Sequence, residues 1–197
     1  MNLKGKFYSN YLCSNPDLNT KCTKQKTTGC YGEKDEVYWF DSCGNRENIY
    51  SINKEQSYNN GIVLNKSSSC NLDLTNKNTQ RDCGNCNSFA SSKCGPKIQG
   101  KQELSESNAE FVCRDLRCTD DEGKIRQNAE SWCEYQGSIN PDKGVFSNRS
   151  TTPVGSRSFK STCYEGEIIV DPCADYDNEI CTESSVKTDA GKDFSVA

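Results

Sequence analysis

Apolar residues fall in short runs along this chain, a pattern typical of β-strands rather than of long amphipathic helices. The aromatic run at residues 37–40 is followed by a second apolar segment at 48–52, which predicts two paired strands. Asn60-Gly61, directly before the apolar residues 62–64, predicts a two-residue hairpin. These segments together predict a small antiparallel sheet in the first third of the chain.

The clearest hairpin covers residues 159–173, where Glu165-Gly166 separates two segments rich in β-branched residues. Pro172 ends the second segment or confines it to the edge of a sheet. Only residues 104–116 have some helical character, and their serines and asparagine weaken it. The pattern predicts a mostly β protein made of two small disulfide-stapled modules, with long loops and little helix.

Fourteen cysteines and no histidine are the strongest compositional signal. Thiols at this density persist as disulfides or as metal thiolates, and an even number allows all of them to pair. The lack of histidine removes the commonest general base and the commonest zinc nitrogen ligand. We predict that every cysteine is in a disulfide, although the sequence leaves the connectivity open: Cys13, Cys22, Cys30, Cys43, Cys70, Cys83, Cys86, Cys94, Cys113, Cys118, Cys133, Cys163, Cys173 and Cys181.

The chain is too polar to fold on apolar packing alone. Hydrophobic residues make up 32% of it and the mean hydropathy is −0.88. Disulfides compensate for a thin core mainly by restricting the unfolded chain. They also place the protein outside the cell or at its surface. No apolar run spans a bilayer and no leader precedes the polar start, so we expect a segment of a longer exported chain.

Residues 95–103 have the glycine and proline content of a linker and divide the chain into modules 1–99 and 100–197. The division leaves eight cysteines before it and six after it, so each module can close its own disulfides. Residues 1–100 carry 13 basic and 9 acidic residues, and residues 101–197 carry 11 and 19. This asymmetry indicates either uneven solvated surface or complementary ends for head-to-tail association.

Cys83-Gly-Asn-Cys86 has the CxxC spacing of zinc knuckles and of dithiol redox enzymes. No apolar strand precedes it, as a thioredoxin-like site requires, and no second CxxC completes a zinc site. We therefore interpret both cysteines as members of structural disulfides. The sequence implies no cofactor.

Three carboxylates at alternate positions, Asp175, Asp177 and Glu179, are similar to the opening of a calcium loop. The glycine that lets such a loop turn is absent, so a solvated strand face is the simpler interpretation. Asn65 and Asn148 each begin an Asn-x-Ser triplet and are candidate glycosylation sites in an exported protein.

No set of residues in the sequence indicates catalysis. Ser156 lacks the second glycine of a nucleophile elbow, and no histidine is present to activate it. A pair of carboxylates for glycoside hydrolysis is defined by its separation in space, which the sequence does not give. We predict that the protein is not an enzyme.

Five segments form an ordered pattern: residues 37–47, 83–86, 131–133, 153–157 and 163–181. The pattern resembles uncharacterised cysteine-rich, exported proteins of small-genomed archaea. In such proteins it belongs to a longer surface protein, which is what the resemblance implies for this chain. The resemblance implies a location and no enzymatic activity.

The leading hypothesis is a non-enzymatic extracellular structural or adhesive protein, such as a subunit of a surface layer, appendage or filament. Its expected partners are further copies of itself, with glycans or another cell surface as the alternative, and not nucleic acid. The end strand at 194–197 and the aromatic region 37–58 are candidates for subunit contacts. The rival hypothesis is a secreted carbohydrate-binding module or a hydrolase without histidine, with Trp39, Tyr50 and Tyr58 as a sugar platform.

Overall fold

A computed structural model gives the fold of the chain, and the residues it describes are 8–76, 79–97, 109–135, 139–140, 145–146, 157–174, 179–188, 191 and 193–197. The chain divides into two compact units. We call residues 1–88 and 92–115 the N-unit, and residues 89–91 and 116–197 the C-unit. Strands are the commonest regular structure over the described residues as a whole, which confirms the mostly β prediction.

The first sheet of the N-unit contains three antiparallel strands in chain order, β1 Thr27–Cys30, β2 Val37–Phe40 and β3 Arg46–Ile49. The predicted pair of strands is confirmed, with β3 shorter and starting earlier than the apolar pattern suggested. Asp41 shapes the turn between them, because its Oδ1 accepts hydrogen bonds from the backbone N–H groups of Cys43 (2.8 Å) and Asn45 (2.9 Å). The polar turn residue thus fixes the register of the aromatic strand.

A second sheet in the N-unit pairs β4 Ser92–Pro96 with β5 Phe111–Asp115. The weak helical character of residues 104–116 is not realised in their described part, because the bulky run that begins at Phe111 pairs as a strand. Gly95 and Pro96, assigned to a linker from the sequence, are also strand residues. The remaining parts of these two predictions, residues 98–108, lie outside the described residues.

The helices are short, and the helix Lys54–Tyr58 ends in residues with positive φ. Asn59, Asn60 and Gly61 have φ of 50°, 53° and 77°, and they terminate a helix instead of forming the predicted hairpin. The same left-handed preference that suits a hairpin turn also suits a helix C-terminus, so the sequence signal was ambiguous. The described helices are α1 Lys54–Tyr58 and α2 Thr79–Asp82, with 3-10 turns at Pro16–Leu18, Asn59–Gly61, Lys66–Ser68 and Ser88–Ala90.

The core of the N-unit lies against β2. Trp39 packs on Tyr50 with ring centroids 5.1 Å apart, and both side chains are buried. Apolar side chains and one disulfide complete the cluster, which contains Val37, Trp39, Tyr50, Cys86, Ala109 and Cys113.

The C-unit is a set of small antiparallel pairs around one three-stranded sheet. That sheet has the order β12-β11-β8, and the other pairs are β6 with β7, β9 with β10 and β13 with β14. The strands are β6 Cys118–Thr119, β7 Ile125–Arg126, β8 Ser131–Tyr135, β9 Ile139–Asn140, β10 Val145–Phe146, β11 Ser158–Tyr164, β12 Glu167–Pro172, β13 Ser184–Lys187 and β14 Asp193–Val196.

The hairpin of β11 and β12 is the one that the sequence predicts. Its register runs from Phe159 opposite Pro172 to Tyr164 opposite Glu167, and Glu165 and Gly166 turn the chain with φ of 50° and 89°. Two successive residues with positive φ match the twist that a tight hairpin needs. Pro172 ends β12, which is an edge strand, so both parts of that prediction are confirmed.

A buried ion pair holds the C-unit together. Arg126 Nε donates to Asp120 Oδ2 at 2.8 Å, and its guanidinium lies 4.7 Å from the centre of the Trp132 ring. Arg126 Nη1 also donates to the hydroxyl of Ser195 in β14, at 3.1 Å. Cys118, Trp132 and Cys163 form the small apolar cluster beside this pair.

The C-terminal strand is used within the C-unit. β14 pairs with β13, the Ser195 N–H donates to the Glu130 carboxylate, and the Ala197 N–H donates to the Ser131 hydroxyl. In this structure the strand therefore pairs within its own unit, and its role in a contact between subunits stays a prediction.

The boundary between the units lies between residues 115 and 116, not at 99/100. The pairing of β4 with β5 joins the two sides of the predicted linker, because hydrogen bonds across it make one sheet. With this boundary the N-unit has 15 basic and 13 acidic residues, and the C-unit has 9 and 15. The charge asymmetry keeps its sign and shrinks to +2 against −6.

None of the helices in the described residues has the length and apolar character needed to cross a membrane.

Candidate functional site

Six disulfides brace the described structure. Their Cα atoms are 5.4–5.7 Å apart, within the usual range for this bond. Four lie in the N-unit and two in the C-unit, and none joins the two units. The pairs are Cys22–Cys43, Cys30–Cys94, Cys70–Cys83, Cys86–Cys113, Cys118–Cys163 and Cys133–Cys181.

Two cysteines, Cys13 and Cys173, are free thiols. The prediction that all fourteen are paired is therefore wrong for these two in this structure. The parity argument failed because it depended on the boundary. Cys113 belongs to the N-unit, which gives nine cysteines there and five in the C-unit, an odd number on each side. Each unit closes its disulfides internally and leaves one thiol over.

The CxxC pair serves two different disulfides. Cys83 is bonded to Cys70, and Cys86 is bonded to Cys113. All the ligand and redox capacity of the motif is consumed in these bonds, which agrees with its structural interpretation. Cys86–Cys113 also crosses the sequence-predicted linker, so the expectation that disulfides respect a boundary at 99/100 is wrong.

Cys13 projects from a segment that is fixed on both sides. The Leu12 N–H donates to the Gly61 carbonyl at 2.8 Å, and the Ser14 hydroxyl donates to the buried Glu47 carboxylate. Leu12 and Ser14 are buried, while the thiol between them is exposed. The N-unit therefore presents this thiol to solvent on a rigid backbone.

An exposed apolar surface adjoins Cys13. Tyr11 forms an isolated β-bridge with Ile62, and the Val63 N–H donates to the Asn10 carbonyl at 2.9 Å. We call this surface the N-face; its members are 43–49% exposed apart from the thiol, and they are Tyr8, Tyr11, Cys13, Ile62 and Val63.

Cys173 lies directly after the edge strand β12. Its backbone N–H donates to the Ser158 carbonyl at 2.9 Å, which extends the pairing with β11 by one residue. Three consecutive apolar residues precede it on β12, and they are 38–49% exposed. We call this surface the C-edge; it consists of Ile168, Ile169, Val170 and Cys173.

The buried carboxylates of the N-unit have structural partners. Glu47 accepts hydrogen bonds from Ser14 and from the Gln25 N–H (2.7 Å). Burial raises the pKa of Glu47, against these two bonds, which lower it. Burial by itself would raise the pKa of Glu36. The hydrogen bond and the charge of Lys66 outweigh burial and hold the pKa of Glu36 below its ordinary value.

Tyr38 shares the Glu36 carboxylate. Its hydroxyl donates to Glu36 Oε2 at 3.1 Å. Burial, together with the charge of Glu36, raises the pKa of Tyr38 to about 12. The phenol therefore stays protonated and acts as a hydrogen-bond donor rather than as a base.

The proposed sugar platform is wrong. Trp39, Tyr50 and Tyr58 are 6%, 3% and 5% exposed, so none presents a ring face to a ligand. Trp39 and Tyr50 build the core, and the Tyr58 hydroxyl donates to the Ser14 carbonyl at 3.0 Å. Aromatic strand residues predict burial at least as well as they predict binding, and burial prevailed here.

The structure describes only some of the residues in the calcium and glycosylation predictions. Asp175, Asp177 and Asn148 lie outside the described residues. The Glu179 carboxylate accepts a hydrogen bond from the Ala174 N–H at 3.0 Å. Asn65 is exposed, has extended backbone angles before the 3-10 turn Lys66–Ser68, and makes no capping hydrogen bond with its side chain.

One group of potential metal ligands occurs within the described ranges, and sequence reasoning did not single it out. It contains Cys22, Asp41 and Cys43, whose ligand atoms lie within 4.8 Å of one another. Both sulfurs are bonded to each other, and Asp41 accepts bonds from the turn that follows it. The group is a braced loop rather than a metal centre.

Comparisons of the chain with protein-family models, with curated proteins and with solved structures gave no match. The resemblance to archaeal exported proteins therefore stays a prediction. The candidate sites are two separate surfaces, the N-face with Cys13 in the N-unit and the C-edge with Cys173 in the C-unit.

Proposed function

We propose that the protein is a non-enzymatic, extracellular structural protein that associates with further copies of itself. The observation that carries this proposal is the closure of six disulfides inside two small β units. Disulfides at this density form and persist in oxidising compartments, and they are compatible with an extracellular location.

The partners of the buried charges support a structural role. Asp120 is paired with Arg126, Glu36 with Lys66, and Glu47 accepts bonds from Ser14 and Gln25. A catalytic acid or base needs an unfilled hydrogen-bonding position directed at substrate. The hydrogen bonds of these carboxylates are made to other groups of the same unit, and this supports a structural role.

Localisation and oxidation state test the proposal together. Producing cells are treated with a protease that does not enter them, and free thiols are alkylated at once in denaturant, before and after reduction. We expect cleavage on intact cells and at least twelve cysteines that react only after reduction, the twelve of the six internal disulfides. Recovery inside cells with all fourteen cysteines alkylated before reduction would overturn the extracellular assignment.

Asn65 is the glycosylation site that we propose for the N-unit. Its exposed side chain and extended backbone leave the amide nitrogen accessible to a glycosyltransferase that uses a lipid-linked sugar donor. Mass spectrometry of the secreted protein should show a glycan on the Asn65 peptide. Asn65→Gln and Ser67→Ala should both remove it, whereas Ser67→Thr keeps the acceptor triplet and should retain it. An unmodified peptide from native material contradicts this assignment.

A further inference from the structure

The C-edge is rich in large apolar side chains, as buried surfaces are, but these side chains are exposed to solvent. Edge strands of soluble proteins are usually protected by charge, a bulge or a covering segment, because their free backbone groups pair with other chains. β12 instead has three consecutive apolar residues, with Ile168 and Val170 on one face and Ile169 on the other. In the described parts of the chain its outer edge pairs with no strand.

The charge around the C-edge indicates what covers it. Residues 157–183, which contain β11 and β12, include seven acidic residues and two basic residues, and one of the basic residues, Lys160, lies opposite Asp171. Residues 1–26, the segment that includes Tyr8, Tyr11 and Cys13 of the N-face, contain five lysines and one aspartate. Opposite net charge of the two segments favours their encounter. The N-face of another copy is therefore a complementary partner for the C-edge.

Pairing of β12 with its own copy is the less favourable arrangement. An antiparallel pair centred on Ile169 places Glu167 of one copy opposite Asp171 of the other. Like charges directly across a strand pair destabilise it. In this register, charge disfavours a symmetric contact between two copies of β12.

The leftover thiols lie on these same two surfaces. Cys13 is a member of the N-face, and Cys173 follows the last residue of β12. Each unit supplies one, although every other cysteine is bonded within its own unit. Two independent features, complementary charge and cysteine parity, thus mark the same two surfaces.

We propose that the C-edge is the docking surface for the N-face of a second copy, and that Cys173 then forms a disulfide with Cys13 of that copy. The two thiols lose two protons and two electrons as the S–S bond forms. A low-molecular-weight disulfide accepts the electron pair and is released as two thiols. Since each copy keeps one unused surface, the contact repeats head to tail. This inference rests on the proposed self-association and names the site at which it occurs.

Complementary single variants test the inference. Cys13→Ser retains only Cys173, and Cys173→Ser retains only Cys13, with the six structural disulfides intact in both. Each protein is incubated with cystine alone and in an equimolar mixture, then examined by non-reducing electrophoresis and peptide mapping. The wild type should give a ladder, the mixture should give dimers only, and each variant alone should stay monomeric.

Peptide mapping should identify Cys13–Cys173 as the new bond. Dimers of Cys173→Ser alone, dimers of Cys13→Ser alone, or a wild-type monomer with both thiols bonded to each other would each overturn the proposal. A monomer with both thiols unreacted would overturn it as well, and would leave the extracellular assignment in place. An intracellular, reduced protein instead contradicts the proposed function.

A surface variant separates docking from random thiol collision. Val170→Lys removes an apolar side chain from the C-edge and adds a charge that repels the basic N-terminal segment. Val186→Lys is the matched control, because Val186 is 50% exposed and Val170 is 49% exposed. We expect the initial rate of dimer formation to fall about tenfold for Val170→Lys and to be unchanged for the control. Equal rates for both variants would overturn the docking surface.

Discussion

The two units reach stability by different means. The N-unit has four disulfides and a buried cluster of six residues around Trp39. The C-unit has two disulfides, a cluster of three residues around Trp132, and a buried ion pair next to that ring. Where apolar packing is smaller, charge takes a larger part in the core, and breaking that charge pair becomes more costly.

The units also differ at their surfaces. The N-face lies around the isolated bridge between Tyr11 and Ile62, whereas the C-edge lies along β12 and has apolar residues on both faces of that strand. The C-unit therefore has the larger share of its apolar residues unburied. This contrast indicates that covering an exposed apolar surface would stabilise the C-unit more than the N-unit.

Each unit contains one of the two tryptophans, which allows the comparison to be measured. Trp39 reports on the N-unit and Trp132 on the C-unit, and both are buried. In a Trp39→Phe background, fluorescence follows the C-unit alone, and in a Trp132→Phe background it follows the N-unit. The predictions below use these two backgrounds.

The largest expected effect comes from the buried disulfide of the N-unit. Cys86 and Cys113 are 0% and 1% exposed. Replacing both by alanine should lower the free energy of unfolding by about 5 kcal/mol, from loop entropy and from lost packing. Denaturant unfolding followed by Trp39 fluorescence measures this change.

The matched control is Cys22–Cys43, which lies at the surface and closes a loop of similar length. The sequence separations are 27 and 21, so the entropic parts differ by only about 0.2 kcal/mol. Replacing Cys22 and Cys43 by alanine should cost about 3 kcal/mol. Equal losses for the two pairs would show that the buried disulfide contributes nothing through packing.

The second prediction concerns the ion pair of the C-unit. Arg126→Met leaves Asp120, which is 3% exposed, without its cation, and should cost about 3–5 kcal/mol in the Trp132 signal. Adding Asp120→Asn should restore most of the lost free energy of unfolding. The amide oxygen can still accept the hydrogen bonds that the Glu122 and Lys124 N–H groups donate to Asp120 Oδ1. In the N-unit, Glu55→Ala breaks the exposed Lys24–Glu55 pair and should cost less than about 1 kcal/mol. A loss of that small size for Arg126→Met contradicts the comparison.

Local signals in the sequence predicted the fold where one interpretation was available. The hairpin around Glu165-Gly166 and the strand at 37–40 were predicted because β-branched or aromatic runs next to a turn have few alternatives. Asn60-Gly61 was misassigned to a hairpin because the same residues suit two local structures, and contacts far along the chain decided between them. The boundary at 115/116 depends on the pairing of β4 with β5, a non-local contact.

The candidate site could be predicted only in part. Cysteine content predicted the disulfide framework, but the two free thiols depend on which unit contains Cys113. Trp39, Tyr50 and Tyr58 carried a binding signal in the sequence and turned out to be buried. The C-edge was visible as an apolar segment, while its position at the edge of a sheet follows only from the order β12-β11-β8.

The third prediction compares two fully buried serines. Ser161 in the C-unit is 0% exposed, and its hydroxyl has no hydrogen-bond partner among the described residues. Ser92 in the N-unit is equally buried, but its hydroxyl accepts from the Asn87 N–H and donates to the Asn87 carbonyl. Ser161→Ala should stabilise the C-unit by about 1 kcal/mol, and Ser92→Ala should destabilise the N-unit by about 1 kcal/mol. Changes of the same sign in both units would contradict this difference.

The smallest expected effect is a pH dependence within the N-unit. Burial raises the pKa of Glu47, so the native state binds that proton more tightly than the unfolded chain does. Its contribution to stability is therefore present below the ordinary carboxyl pKa and is lost as pH rises through the raised value. We expect the stability of the wild type minus that of Glu47→Gln to fall as pH rises above the ordinary carboxyl pKa.

Glu36 provides the opposite case in the same unit. Lys66 holds the pKa of Glu36 below its ordinary value, despite the opposing effect of burial. Its contribution is present above the ordinary carboxyl pKa and is lost as pH falls through the lowered value. The wild type minus Glu36→Gln should therefore rise with pH, measured by Trp39 fluorescence in denaturant. If both stability differences changed with pH in the same direction, the opposite pKa shifts of Glu47 and Glu36 would be contradicted.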